Sequence, residues 1–410
     1  SVTGANSLSH TITELAAETE YWVAVKASDE AGNASSLSNV PQMTTVDLRV
    51  LEVFVDGSGD YPTIEGALIA ARPGDLILVG PGRYTWTNQG TGDAETGLIW
   101  VPALKDSVEL RSTHGAEETI IDGEELGKIM HVNGGTVDPP GGERYWTGIT
   151  IDGFTFTGGV AESGNTGLTS SGGALSLHLT DTVVRNCVFT GNRAIEGGAV
   201  WIGGQGAAVL EDCVITDNEA AAGGGLILVN SEPMITVRRC EITNNRVTYN
   251  GGGIGLATCN FLFEDCVIAG NDAKQKGGGI AIISMIRDDT LYIEYTGKIA
   301  GCTIADNDAP TGAGIHMQTV PDLTVTNTIV AYNTGGSAIK NVKVTGLAVG
   351  CTDLFGNPGG AVWAGGFTDL GGNIELGPLF CDRTKYELRS DSPCLADCGQ
   401  IGARGTGCSP

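Results

Sequence analysis

Positive charge is scarce in this chain. Lysine and arginine number 23 against 48 aspartates and glutamates, giving a net charge of −25 over 410 residues. A nucleic-acid binder needs a basic footprint to displace counterions from phosphates, so that class is excluded. Attraction to anionic lipid is excluded on the same ground. The acidic excess admits cations and keeps the chain dispersed. Long apolar runs are also missing. No stretch reaches the ~18 residues of a spanning helix, so no membrane span is expected, and no leader-like segment opens the chain. Proline is low at 14, which argues against a Pro/Gly linker, and the 63 glycines lack the three-residue period of collagen. Hydrophobic residues make up 41% and mean hydropathy is +0.05, enough to build a core. A chain of this length divides into domains unless it is a repeat array.

Repeats are present. RNCVFTGN, EDCVITDN, RRCEITNN, EDCVIAGN and AGCTIADN carry Cys187, Cys213, Cys240, Cys266 and Cys302, spaced by 26, 27, 26 and 36 residues. The long step is one period with an insertion. TNTIVAYN puts Thr328 in the same slot, and DGFTFTGG puts Phe154 there. Five residues after the cysteine or Thr328 slot stand Asn192, Asn218, Asn245, Asn271, Asn307 and Asn333. A glycine run follows, then a short apolar piece such as AVWI, LILV or IAII. Each unit is too short to form a layer and has no helical period. Slot residues two apart face one side of a strand. Stacking one unit per rung, ~4.8 Å apart, buries them as a column. The asparagines then stack as an amide ladder, and the glycines supply the tight bends. The expected fold is an all-β parallel β-helix, a solenoid of about 26-residue turns running from 86 to 350 and clearest over 183–341.

VFVDGSGDYPTIEGALIAARPGDLILVGPGRY, residues 53–84, resembles the amino-terminal cap of the right-handed β-helix superfamily of pectate-lyase-like secreted proteins. The resemblance implies a cap over 46–85, with a short helix over 61–71 plugging the open end and a first core strand over 76–79. GNIELGPLFCDRTKYELRSDSPCLADCGQIGA resembles the closing segment of bacterial secreted β-helix repeat proteins, implying a carboxyl cap over 351–410 and a secreted or cell-surface location. Residues 1–45 alternate like strands, and LAAETEYWVAVKASDEAGNAS resembles the last third of a fibronectin type III domain, tyrosine corner included. Such a partial β-sandwich cannot bury a core alone. Either a longer polypeptide has been cut there, or another subunit completes it by strand addition or end-to-end assembly.

The five ladder cysteines are expected to be buried free thiols, because parallel Cβ vectors disfavour bridging along the stack. Cys381, Cys394, Cys398 and Cys408 lie in a tail with little core, where two bridges would serve as staples. The expected pairs are Cys381–Cys394 and Cys398–Cys408, with the other two pairings open. Cys259 and Cys351 have no assigned role. Before the ladder the charges alternate as Arg185, Glu211, Arg238 and Glu264, which reads as a surface ion-pair row. The competing reading is a Ca²⁺ site using Asp212 and Asp217. Nothing in the sequence requires a cofactor.

The catalytic elements implied by the superfamily's lyases, hydrolases and esterases are not found, and the five histidines, His10, His114, His131, His178 and His316, are scattered, share no slot and are expected as turn or surface residues. Three insertions, 86–100, 132–146 and 159–172, bring Trp86, Asp93, Glu95, Trp100, Glu143, Arg144, Tyr145 and Trp146. Aromatic rings with carboxylates suit a sugar, so these are the expected glycan-binding residues, and polysaccharide is the expected ligand if one binds. The favoured function is a non-catalytic extracellular module, adhesive or filament-forming, with glycan binding open to it. The alternative is a polysaccharide lyase or glycoside hydrolase, for which two carboxylates must face each other across a cleft.

Overall fold

The computed structural model describes residues 19–24, 35–36, 42–44, 48–90, 97–102, 107–135, 148–162, 170–283, 295–318, 322–342, 346–360, 367–396 and 398–409. The chain divides into two compact units, Ser1–Val50 and Leu51–Pro410. In the first, Glu20–Trp22 pairs antiparallel with Gln42–Thr44, placing Tyr21 opposite Met43. The rest of the fibronectin-like reading lies outside the described residues.

The second unit is a parallel β-helix. One full turn shows its plan. Val183–Arg185, Val188–Thr190, Arg193–Glu196 and Val200–Gly203 form four short strands, which we call files one to four. Each pairs in parallel with its counterpart in the next turn, for example Val184 with Leu210, Phe189 with Ile215, Ala194 with Ala220 and Trp201 with Ile227. The 13-residue strand Leu226–Arg238 runs from file four into file one, as does Ile254–Glu264, so these two faces join into one sheet.

Alternation fixes what is buried. In file two, Phe156, Phe189, Ile215, Ile242, Ile268, Ile304 and Val330 all point inward with 0% exposure. Phe156 and Phe189 stack with ring centroids 5.0 Å apart. Between files one and two sit Cys187, Cys213, Cys240, Cys266 and Cys302, all buried and free as expected. Each thiol donates to a carbonyl, as Cys213 Sγ does to Glu211 O at 3.2 Å. Burial pushes the Cys213 and Cys302 thiols well up, so they stay protonated.

The turn between files two and three holds the asparagine ladder. Asn192 Nδ2 donates to Asn218 Oδ1 at 3.0 Å, and the same bond recurs from Asn218 to Asn245, Asn245 to Asn271, Asn271 to Asn307 and Asn307 to Asn333. It continues one step beyond the sequence expectation, from Asn333 to Asn357. The backbone N–H of each asparagine donates to the next Oδ1 as well, so every interior amide oxygen takes two bonds.

At the amino end, Ile64–Ala70 is a helix that buries Ile64, Ala67 and Leu68, with Thr63 Oγ1 accepting from Gly66 N at its start. Val50–Val53 precedes it and pairs with Leu76–Val79, so the expected first core strand is the second. At the carboxyl end, the tail does more than close the last turn. It lies along the outer side of file two, where Gly402 N donates to Asn327 O and Ala403 N to Thr303 Oγ1. Arg404 there pairs with Glu241. This cover explains why Val267, Ala269, Ala305, Ile329 and Ala331, all on the outer side of their strands, are apolar and buried.

The disulfides differ from expectation. The pairs are Cys351–Cys398 and Cys381–Cys408, with Cα separations of 5.8 and 6.0 Å. Cys351 occupies the corner just before the slot, with φ +48°, so its side chain points out toward the passing tail. Cys394, expected to bridge Cys381, is instead a free, fully buried thiol. It donates to Asp353 Oδ2 at 3.2 Å on the inner side of the tail, and burial raises the Asp353 carboxyl to about 6.

Candidate functional site

Acidic residues of file one, Asp152 and Glu211 among them, are paired with arginines. In file one, register aligns Arg111, Asp152, Arg185, Glu211, Arg238 and Glu264 in one outward row. Arg185 Nε lies 3.0 Å from Asp152 Oδ2, and its Nη2 lies 2.9 Å from Glu109 Oε1. Arg238 Nη2 is 2.5 Å from Glu211 Oε2. The expected ion-pair row is therefore present, although Arg185 turns to the preceding rungs rather than to Glu211.

Asp212 and Asp217 have a different explanation from Ca²⁺. They occupy two corners with φ +53° and +57°, in the left-handed region that Asn, Asp and Gly tolerate best. Asn186, Arg239, Asp265, Gly301 and Asn327 recur at the first corner, and Gly191, Asn244, Gly270, Asp306 and Tyr332 at the second, so eight of these ten are Asn, Asp or Gly. Asp212 is held by Arg239 at 2.7 Å, and Asp217 Oδ2 accepts from Thr216 Oγ1 at 3.0 Å. The arginine hydrogen bond holds the Asp212 carboxyl below the usual range. Among the described residues no three His, Cys, Asp or Glu side chains gather as a metal site.

Unexplained polar atoms concentrate on the outer side of file four. Register aligns Trp100, His131, Ser176 and Trp201 on successive rungs. A second outward row, two residues further along the strand, holds Asn133 and His178. Ser176 is 0%, His131 6% and Trp201 7% exposed. His131 Nδ1, Ser176 Oγ, His178 Nδ1 and Trp201 Nε1 are all buried and lack a hydrogen-bond partner. A buried polar atom left unpaired costs about 1–3 kcal/mol, so four on three adjacent rungs mark a face with unmet bonding capacity. The rings of His178 and Trp201 lie 6.0 Å apart. Trp100, 36% exposed, forms the open end of the row.

The electrostatics of this face are those of neutral imidazoles. Burial lowers His131 to about 3, with the nearby charges of Lys128 and His178 adding to it. Burial also lowers His178. Lys128, 2% exposed, is lowered to about 8 for the same reason. At neutral pH each imidazole presents one donor and one acceptor.

Of the residues expected to bind a glycan, Trp100 belongs to this face. Trp86 does not: it starts the short helix Trp86–Gln89, packs against the core and lies over Gly127. Asp93, Glu95, Glu143, Arg144, Tyr145 and Trp146 lie outside the described residues. His131, Ser176, His178 and Trp201 escape an alignment made on cysteine, because the earliest of these rungs has no cysteine. Aligning instead on the apolar strand after the glycine run gives MHVN, LSLH, VWIG, LILV, IGLA, IAII and IHMQ. In that register His131 and His316 share a position, so two of the five histidines do share a slot, and both are buried rather than on a turn or the surface.

Stacked parallel files, an inner asparagine ladder and a helical plug define a right-handed parallel β-helix protein. The family model of the right-handed β-helix region matches residues 147–373, more than half of the chain, and the chain belongs to that family. No curated protein matches it in sequence at a significant level. Similar solved structures include the pectate lyase Pel9A, at 14% identity and a TM-score of 0.48, with 88% of this chain and 97% of that chain covered. Pectin methylesterase from carrot gives 16%, 0.42, 82% and 91% on the same measures. The catalytic unit of an α-1,3-glucanase from Streptomyces thermodiastaticus gives 15%, 0.39, 83% and 73%.

Proposed function

We propose that this protein is a non-catalytic extracellular β-helix module that holds a saccharide on the outer side of file four. The observation that carries this reading is the exposed Trp100 ring at the open end of a row whose inner members, His131, Ser176, His178 and Trp201, hold four buried polar atoms without partners among the described residues. Neutral donors and acceptors beside indole rings match sugar chemistry, in which hydroxyls need both and the ring faces are apolar. The Ca²⁺ reading is not part of the proposal, since arginine already neutralises Asp212. Hydrolysis by a carboxylate pair finds less support. Glu109, Asp152 and Glu211 are each engaged by arginine.

A glycan array followed by calorimetry tests the proposal on the purified chain. Binding of at least one neutral or acidic glycan, weakened tenfold or more in Trp100→Ala and Ser176→Ala, is expected. No binding across the array overturns it. Cleavage of any polysaccharide, with or without Ca²⁺, replaces it with the enzymatic reading.

A further inference from the structure

His316 lies on the same outward row, four rungs beyond Trp201, about 19 Å along the axis at ~4.8 Å per rung. It is 2% exposed, and among the described residues neither ring nitrogen meets a partner with good hydrogen-bond geometry, although the Gln318 side chain is near enough to favour the protonated ring. Register places Ala281 on one side of it and Lys340 on the other. Lys276 reaches over from the preceding turn, and its Nζ donates to Gln318 Oε1 at 3.3 Å, two residues beyond His316. Lys340 is the register neighbour of His316 on the next rung, and its Cβ packs against the turn at Gly312. A Cβ at Gly312 would lie 2.9 Å from Lys340 Cβ and 2.9 Å from His316 Cα. Both lysines are half-buried and form no ion pair among the described residues, in a molecule with twice as many acidic as basic side chains. Two ammonium groups beside a histidine repel its protonated form. Burial, with Lys276 and Lys340 assisting, lowers His316 to about 4.

We propose that His316, Lys276 and Lys340 form a binding site for a compact oxyanion. The anion accepts from one imidazole N–H and from the two ammonium groups, with Gln318 positioning Lys276. These three groups could then satisfy the oxyanion without calling on any carboxylate. The same chemistry fits a free inorganic oxyanion or the carboxylate of a sugar acid, and the test separates them. The site stands independently of the saccharide face on file four, since the two share no residue.

The experiment follows the imidazole resonances of the full chain, labelled with 15N-histidine and assigned by His316→Gln. Phosphate, sulfate, acetate and galacturonate are titrated at constant ionic strength, with chloride as the control. A saturable shift of the His316 signals is expected for at least one oxyanion, together with a rise in the His316 pKa. Lys276→Gln and Lys340→Gln should each weaken binding about tenfold, roughly the loss of one charge-assisted contact. Response to phosphate or sulfate identifies an inorganic oxyanion, and response to galacturonate without them identifies a sugar acid. Signals that stay fixed with every oxyanion, or that move equally with chloride, overturn the proposal. If a lysine variant fails to fold, the wild-type titration alone still decides.

Discussion

Replacing Asn245 tests the ladder where it is most enclosed. Asn245 is 0% exposed and its side chain makes four hydrogen bonds. Nδ2 donates to Ile215 O at 2.9 Å and to Asn271 Oδ1 at 3.0 Å, and Oδ1 accepts from Asn218 N and Asn218 Nδ2, both at 3.0 Å. Asn245→Ala removes all four. Asn218 Nδ2 keeps Phe189 O and Thr216 O, but the Asn218 backbone N–H loses its acceptor. At about 1 kcal/mol net per bond, with about 1–3 for a stranded buried donor and partial relaxation in the other direction, the loss comes to about 4 kcal/mol. Asn245→Asp should be worse at neutral pH. It places carboxylate oxygen against Ile215 O and Asn271 Oδ1, and protonation at low pH should recover part of the loss. Solenoids often unfold in parts, so amide hydrogen exchange is the better assay. Protection should fall nearly a thousandfold around Ile215, Asn218 and Asn271, while Val108–Ser112 keeps its own. A loss below about 1 kcal/mol in both variants would refute the view that the ladder holds the rungs together.

Other outcomes follow from the same structure. Non-reducing peptide mapping should recover Cys351–Cys398 and Cys381–Cys408, with Cys394 alkylated only after unfolding; a Cys381–Cys394 peptide would contradict the tail's placement. Cys398→Ser opens a 47-residue loop and should cost about 4 kcal/mol on chain-entropy grounds, read by denaturant titration. His131 and His316 are lowered in the folded state to about 3 and about 4, so the unfolded chain takes up more protons below pH 6.5. Their contribution to stability is complete above 6.5 and is lost as pH falls toward 4 and then 3. His131→Gln combined with His316→Gln should flatten that slope in thermal melts. Asp353, raised to about 6, acts in the opposite sense: stability is full below about 3.8 and declines as pH rises through 6, which Asp353→Asn should abolish. Gly251→Ala forces φ +73° on an alanine and brings its Cβ to 2.5 Å from Ile254 O, so the melting temperature should drop by several degrees.

Much of the architecture is legible because each rung repeats one local problem. Cys213, Ile215 and Asn218 recur at fixed offsets since the same inward positions and the same amide turn must be filled every 4.8 Å or so. The corners were legible too, but under a different heading. Asp212 reads as a cation ligand in sequence, whereas its corner at φ +53°, shared with Asn186, Arg239 and Asp265, gives it a backbone role. The histidine face was hidden because it belongs to file four, whose earliest rungs carry no cysteine at the repeat slot. Its members also mean little singly. Successive members His131, Ser176 and Trp201 are 45 and 25 residues apart in the chain, and stacking makes them neighbours.

Local repetition thus let the sequence by itself determine the β-helix, its buried thiols and its asparagine ladder, since each depends on contacts between equivalent positions one turn apart. Only the tertiary structure decided the disulfide pairs, the face bearing His131, Ser176, His178 and Trp201, and the setting of His316 between Lys276 and Lys340. Those depend on where the tail crosses file two and on which rungs fall side by side. No spacing along the chain encodes the tail's crossing, whereas the file-four positions recur with the repeat and only their burial and missing partners needed the packed structure.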